Sequence, residues 1–538
     1  MHPCLNVDEI LRLLACELVA SEAKATAVSF ASCCKGFQDP VLDALWETQD
    51  RLIPLLKCFP QEVWKEEDGR FVSYIMVFIF FTLSYSISKT LNRVPTKEEW
   101  TVFRKCARRM RKLTVDTSED PVASDILFAL QLRTANEPLL PKLKTFECKR
   151  ATEAFIPFIP SFLSRTTTEI DIEFDEDSPT VMVASTITGL SMFCPDLECI
   201  TLNDLPRDPI ITEAASEMLL TCNRGALEWF HVDSPLTEEA RNVVFQLPKL
   251  SGLWVIIQGH TPLPLVALPN LTTIDLQYDD HLDWLQGFRG AMLEKLETVY
   301  FTSQSEQIGN FLGKFKSVAL TTPAAATLST LWFSTLQPWD PDYRSLLPFT
   351  QLKDLQIEFS CENGCSSKVD DNIVMDLARA MPKLEILRLG GVPCGARGGV
   401  TVKGLIALAR GCRCLSKLRI HFQASSLVEV VTGTEVPVPS DGSMVVRRQD
   451  CALTELEVGE IPIAEASVLM VAMTLLRIFP RLLNIEFIER KWEGAMEIIK
   501  IVERIDTFVQ HISKAYLLVH LILLSNVLPG DALDIGDP

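Results

Sequence analysis

An apolar residue, two variable ones, an apolar residue, one variable and an apolar residue recur along this chain in fourteen copies. The first is Met110-Leu113-Val115 and the last Leu482-Ile485-Phe487. Between them copies start at Leu143, Thr167 (polar where the others are apolar), Leu197, Leu227, Leu250, Leu271, Leu296, Phe315, Leu352, Leu384, Leu415 and Leu453. The last two apolar positions lie two residues apart. In a strand they share one face, and the residue between them points the other way. The copies start 19 to 38 residues apart, room for one short strand and one helix or turn. One such strand cannot bury its face alone, but stacked neighbours can. The pattern therefore predicts an α/β solenoid of the leucine-rich-repeat type, a curved parallel sheet with outer helices, over residues 110–490.

Helical stretches are predicted between strands at Thr180–Phe193, Thr212–Thr221, Val369–Met381, Val402–Arg410 and Ala464–Ile478. Thr237-Glu238-Glu239 and Asp370-Asp371 carry the signals of helix starts. A proline commonly precedes the next strand, as in Pro382-Lys383-Leu384, and stops the helix there. The copies from Leu227 to Leu296 leave little room for a helix. Wide gaps after Phe315 and Leu415 predict loops, and Thr432–Asp450, rich in Pro, Gly, Ser and Thr, is expected to project. Residues 491–538 predict a capping helix, Glu493–Ala515, and a frayed tail.

Ahead of the repeats, residues 1–48 pattern as three short helices. Leu5, Ile10, Leu11, Leu14 and Leu18 share a helical face. A second apolar run, Ala27, Val28, Phe30, Ala31 and Cys34, is expected to stop at Gly36. Pro40 is expected to open a third helix through Trp46. So small a unit is marginal alone and needs a partner or a neighbouring domain. Residues 49–109 form a connector, predicted helical and acidic over 50–70. Thr96-x-x-Glu99 is a capping box that opens a helix. This helix runs into the basic stretch Arg104–Lys112, which reads as a solvated face, with a phosphate or nucleic-acid patch as the lesser reading in so acidic a chain.

Residues 71–87 are the most hydrophobic stretch and do not fit. They allow three readings. One is a buried segment with strand-like composition. Another is a membrane helix at the lower limit of length. The third is a retained intron, since Val72-Ser73 can be encoded by the splice-donor sequence GTGAGT.

Composition narrows the function more than the fold. The chain has 538 residues, 47% of them hydrophobic, and a net charge of −19. An acidic surface argues against broad nucleic-acid binding. Sixteen cysteines without regular spacing read as reduced thiols. The opening residues lack the pattern of a secretory signal, which predicts a cytoplasmic or nuclear protein. A membrane partner is not expected.

No catalytic constellation emerges, so the chain is not expected to be an enzyme, and no cofactor or metal is expected. The seven histidines form no ligand motif. The glycine-rich run Gly390-Gly391-Val392-Pro393-Cys394-Gly395 lacks the Gly-Lys-Ser/Thr of a phosphate loop. Cys361, Cys365, Cys412 and Cys414 are poorly spaced for zinc.

What the repeats offer is a surface. The outward residue of successive copies reads Thr114, Glu147, Asp171, Thr201, His231, Trp254, Asp275, Tyr300, Ala319, Gln356, Arg388, Arg419, Glu457 and Glu486. His231, Trp254 and Tyr300 are candidate contacts with a partner protein, because aromatic side chains anchor interfaces. Arg388 and Arg419 are candidates for an acidic or phosphorylated group.

The N-terminal unit resembles an F-box in Val7-Asp8-Glu9-Ile10-Leu11-x-x-Leu14-x-x-x-Leu18, Cys34-Lys35-Gly36-Phe37 and Pro40-x-Leu42-Asp43-Ala44-Leu45-Trp46. With the repeats that follow, the chain resembles the fungal family of F-box/leucine-rich-repeat proteins. Leu55-Leu56-Lys57-Cys58-Phe59-Pro60 and Pro95-Thr96-Lys97-Glu98-Glu99-Trp100 also look familial. Two features depart from the family: Asp8 stands where proline is usual, and the second helix is rich in Ala and Ser. The resemblance implies docking on the Skp-family adaptor and cullin of an SCF ubiquitin ligase, with the repeats holding a substrate protein. It implies adaptor contacts at Leu5, Val7, Ile10, Leu11, Leu14, Leu42, Leu45 and Trp46. A scaffold with a degenerate F-box and a membrane-anchored repeat protein are the alternatives.

Overall fold

The computed structural model describes residues 8–21, 23–67, 70–73, 95–118, 124–133, 137–258, 263–264, 266–278, 283–304, 310–337, 339–360, 369–392, 399–423, 425–427, 451–458, 471, 474–475 and 477–487. Outside them lie Leu5, Val7, all but the start of the apolar segment, the loop Thr432–Asp450 and the C-terminal helix. Cys361, Cys365 and most of the helix predicted at Ala464–Ile478 also fall outside. The chain forms two compact units, Met1–Gln277 with Gln286–Lys295, and Tyr278–Leu285 with Leu296–Pro538.

The first unit opens with three helices, α1 (Asp8–Ala20), α2 (Lys24–Cys33) and α3 (Lys35–Glu47). Their core is small, made of Ala15, Ala27, Val41 and Ala44 with Leu18, Val19, Phe30, Ala31 and Leu45 packed against it. Two boundaries differ from those predicted. The α2 helix ends at Cys33, because Cys34 is extended (φ −156°, ψ 140°), and α3 starts at once, so Gly36 and Pro40 lie inside it. The reason is packing: Phe37 turns inward and stacks on Phe30 with ring centroids 4.4 Å apart. Pro40 gives up one backbone hydrogen bond in the second turn of α3, while Phe37, Pro40, Val41 and Ala44 are all buried.

The first unit's strands are β1 (Thr48–Gln49), β2 (Trp64–Glu67), β3 (Arg70–Ser73), β4 (Lys112–Asp116), β5 (Thr145–Ala151), β6 (Glu169–Phe174), β7 (Cys199–Asn203), β8 (Trp229–Pro235), β9 (Gly252–Ile257) and β10 (Thr273–Tyr278). The connector is thus less helical than predicted. Among the described residues after β1 it has a short α-helix, Ile53–Leu56, a 3-10 turn, Gln61–Val63, and then the antiparallel hairpin β2–β3. Two of its family-like stretches pack together: Phe59 lies 5.0 Å from Trp100 and 4.9 Å from Phe103. The capping box forms, with Thr96 and Glu99 bonding each other's backbone N–H at the start of the helix Lys97–Ala107.

The remaining eight strands lie parallel and in chain order, with β1 at the edge beside β4. Successive copies are joined by one recurring device, in which two adjacent N–H groups donate to a single carbonyl of the preceding copy. Lys144 and Thr145 donate to Arg111, Thr168 and Glu169 to Lys144, and Glu198 and Cys199 to Thr168. The pattern continues along the unit, and each new strand thereby enters the ladder at a fixed phase. The inward apolar positions are fully buried, Leu113, Phe146, Ile170, Ile200, Phe230 and Leu253 among them. Thr167, the polar exception, is also fully buried. It is satisfied there, donating to the Leu143 carbonyl at 3.1 Å and accepting from the Ser164 N–H at 3.2 Å. A buried hydroxyl is tolerated on that condition.

The second unit repeats the scheme with β11 (Thr298–Ser303), β12 (Thr330–Thr335), β13 (Asp354–Ser360), β14 (Ile386–Val392), β15 (Lys417–Ile420), β16 (Glu455–Val458) and β17 (Asn484–Phe487), parallel and in chain order. It corrects one copy. Phe315-Val318-Leu320 is not a repeat strand, because Phe315 and Val318 sit in the helix Phe311–Ala319. The strand is β12, and its copy is Leu328-Leu331-Phe333. Ser329 and Thr330 make the paired donation, to Glu297. The apolar spacing at Phe315 fits a helix face as well as a strand, since Phe311, Phe315 and Val318 follow i, i+4, i+7. Phe315 stacks on Phe349 at 5.4 Å and meets Phe301 edge-on at 5.5 Å.

Helices lie where the pattern places them. Thr180–Phe193 matches to the residue, while Pro209–Thr221, Asp371–Ala380 and Val402–Gly411 differ by a few residues at their ends. Thr237 and Asp370 cap their helices through the N–H groups of Ala240 and Ile373. The architecture is an α/β leucine-rich-repeat solenoid.

Candidate functional site

The sheet face away from the helices is built by alternation. Along β6, for instance, Ile170, Ile172 and Phe174 are buried and Glu169, Asp171 and Glu173 point out. Strand register then sets the outward residues side by side. In the first unit Thr114 pairs with Glu147, Glu147 with Asp171, Asp171 with Thr201, Thr201 with His231 and His231 with Trp254. In the second, Tyr300 pairs with Trp332, Trp332 with Gln356, Gln356 with Arg388, Arg388 with Arg419 and Arg419 with Glu457. The stripe read from the sequence is therefore present with one exchange: Trp332 stands where Ala319 was expected, and Ala319 is buried in its helix.

The first unit's patch centres on His231 and Trp254, whose rings lie 4.3 Å apart. Gly252 makes room beside them. A Cβ on Gly252 would sit 2.0 Å from the Trp229 ring, so only glycine lets that ring lie over β9. Trp229 remains 36% exposed. Burial pushes the His231 imidazole down to about 4, so the ring is neutral at pH 7. Burial pushes the Asp275 carboxyl up to about 7, against a hydrogen bond with Trp254 that favours its charged form. Nearby, burial and then the charges of Glu147 and Glu173 raise Asp171, and burial and then Asp204 raise Asp233. The face thus sets carboxylates beside one another, and burial with mutual repulsion raises them.

In the second unit, Tyr300 and Trp332 form an edge-to-face pair at 5.6 Å. Trp332 is 37% exposed and Leu336, just beyond the strand, is 70% exposed. Sequence reasoning missed Trp332 because it followed the wrong copy. The paired apolar residues Leu331 and Phe333 were the available signal.

Arg388 and Arg419 sit adjacent, as expected, but neither is a free cation. Arg388 donates to Glu457 and, at 3.1 Å, to Gln356. Arg419 pairs with Glu358 and, at 3.6 Å, with Glu457. Gly390 pairs with Glu358 in the sheet and has φ +119°, and a Cβ there would meet the His421 ring at 3.0 Å. This part of the face is a closed ion-pair network, and an acidic ligand would have to displace its own carboxylates.

The structure sorts the N-terminal candidates. Leu11 is buried, and Leu45 packs on the three-helix core. Ile10, Leu42 and Trp46 are half-buried. Leu14 faces solvent, as do Leu13 at 71% and Val28 at 54%, neither of them among the expected adaptor contacts. Among the described residues no helix is long and apolar enough to cross a membrane, and no three His, Cys, Asp or Glu groups are placed to hold a metal ion. Cys412 is buried and Cys414 exposed, both as free thiols.

No family model and no curated protein matches this chain. Among solved structures, the chain is similar to an internalin (inlF) from Listeria monocytogenes str. 4b F2365. Sequence identity is 14%, the match covers 72% of this chain and 83% of that one, and the TM-score is 0.33. What places the chain among leucine-rich-repeat solenoids is its own ladder of parallel strands, in register and in chain order.

Proposed function

We propose that this chain is the substrate-recognition subunit of an SCF-type ubiquitin ligase, cytoplasmic or nuclear, acting by proximity without covalent chemistry of its own. The N-terminal helices would dock the Skp-family adaptor, and through it the cullin. The sheet face would hold the target protein. The observation that carries the reading is a three-helix unit presenting Leu13 and Leu14 to solvent, joined to a solenoid whose outward face carries paired aromatics. His231, Trp254, Tyr300 and Trp332 are the proposed anchors for the target, with Arg388 and Arg419 shaping the face through their ion pairs with Glu358 and Glu457. Leu14, Ile10, Leu42 and Trp46, now with Leu13 and Val28, are the proposed adaptor contacts. Leu5 and Val7 stay in the proposal as the residues preceding α1.

One observation favours a second reading, a repeat scaffold whose helical unit is only an N-terminal cap. That unit is firmly attached to the repeats. Arg109, after the helix Lys97–Ala107, pairs with Asp39 and Asp43 of α3, and the Arg111 N–H donates to the Glu47 carbonyl. Capture of a recombinant Skp-family adaptor separates the two readings. The ligase reading expects capture by the wild type and at least about tenfold weaker capture by a Leu13→Asp, Leu14→Asp variant that keeps its melting temperature. Equal capture by both, or none by either, leaves the cap.

A further inference from the structure

Where the three-helix unit meets the first repeat, a cleft of about 500 Å³ opens. The helical unit lines it with Arg12 and the exposed Cys16 from α1 and with Pro40 and Ala44 from α3. Its rim is cationic: Lys105, Arg108 and Arg111 come from the end of the helix Lys97–Ala107 and the turn after it, and Lys142 from the turn before β5. The acidic residues lining it are Asp43 and Glu47, and Asp43 is already paired with Arg109. Lys105, Arg108 and Lys142 have no ion-pair partner among the described residues. Arg111 spends Nη1 on the carbonyls of Arg108, Met110 and Lys142 at 3.3–3.4 Å, which fixes its guanidinium at the rim.

Such a gathering of positive charge is unexpected in a chain of net charge −19. Like charges held around one cavity repel, and the arrangement is stabilised when an anion fills it. The cavity is of small-molecule size, within the roughly 300–1,000 Å³ of ligand pockets. Its free cations come from two separate segments, so a single carboxylate cannot satisfy them together. We propose that this cleft binds a compact polyphosphate, a small molecule with two or more phosphate groups, and that the ligand fastens the helical unit to the first repeat. Arg108 and Arg111 supply forked donors to phosphate oxygens, while Lys105 and Lys142 add point charges. The site is separate from the sheet face and does not depend on the proposed ligase role.

Calorimetry and thermal melting of the full chain with sodium tripolyphosphate, at fixed ionic strength, test the proposal. Saturable one-to-one binding and a higher melting temperature are expected. A Lys105→Gln, Arg108→Gln, Lys142→Gln variant is expected to melt normally without ligand and to bind about tenfold more weakly for each cation removed. Absence of saturable binding overturns the proposal, as does unchanged affinity in the variant. An equal effect from sulfate at the same ionic strength reduces the cleft to general ion condensation and also overturns it. Tighter binding of a poly-glutamate peptide makes the occupant a protein segment and overturns the small-molecule assignment.

Discussion

His231 and Asp275 show how one sheet face displaces two titrations in opposite directions. Burial holds the imidazole near 4, below its usual 6.5, so between these values the folded chain binds fewer protons than the unfolded one and stability rises with pH. Asp275 is held near 7, above its usual 3.8, so there the folded chain binds more protons and stability falls as pH rises. In the wild type the two slopes oppose each other, each at most about 1.4 kcal/mol per pH unit. Asp275→Asn should leave the His231 slope uncovered, so that urea midpoints measured from pH 4.5 to 6.5 climb more steeply than in the wild type. A parallel pair of curves would mean that Asp275 ionises freely. Arg419 gives a second expectation at this scale. Its side chain is only 10% exposed, and it answers both Glu358 and Glu457. Arg419→Ala strands Glu358, leaves Glu457 to Arg388 alone, and should cost about 3 kcal/mol in urea unfolding. Arg388→Ala should cost less, because Arg388 is more exposed and solvent can take over part of its role.

At the scale of elements, the copy at Phe315 shows what periodicity alone cannot decide. Phe315 to Leu320 satisfies the apolar spacing of a strand, yet its aromatic neighbours draw it into a helix face. With Leu328 in its place, the flanking spacings become 32 and 24 residues in place of 19 and 37, in line with the other copies. The phase can be checked by substitution. Trp332→Ser should cost about 1 kcal/mol through its pair with Tyr300, while Ala319→Asp, which buries a charge, should cost more than about 2 kcal/mol. Thr96→Ala should cost about 1 kcal/mol by removing half of the capping box. The sheet and most helices were legible because inward positions are apolar for one dominant reason, burial. The junction of α2 and α3 was not, because Gly36 and Pro40 signal an interruption that the Phe30–Phe37 stack overrides. The stripe was legible as an order of residues. The neutralisation of its arginines was not, because Glu358 lies off the stripe and two strands from Arg419.

At the scale of the whole molecule, the three-helix unit has a core built largely of alanines. About 40 residues with so little apolar volume cannot fold alone. A peptide of residues 1–48 should show no cooperative thermal transition by circular dichroism, whereas in the full chain the same helices are held by β1, Arg109 and Arg111. The ion-pair network of the second unit has a different reach. Backbone hydrogen bonds link each strand only to its immediate neighbours. Glu358 with Arg419 joins β13 to β15, and Arg388 with Glu457 joins β14 to β16, both skipping a strand. Second neighbours stand roughly 9.6 Å apart, and flexing a sheet about its strand direction changes that separation before any backbone bond must break. These four side chains therefore act as crossed braces, making the β13–β16 segment a stiff panel within an otherwise bendable ladder.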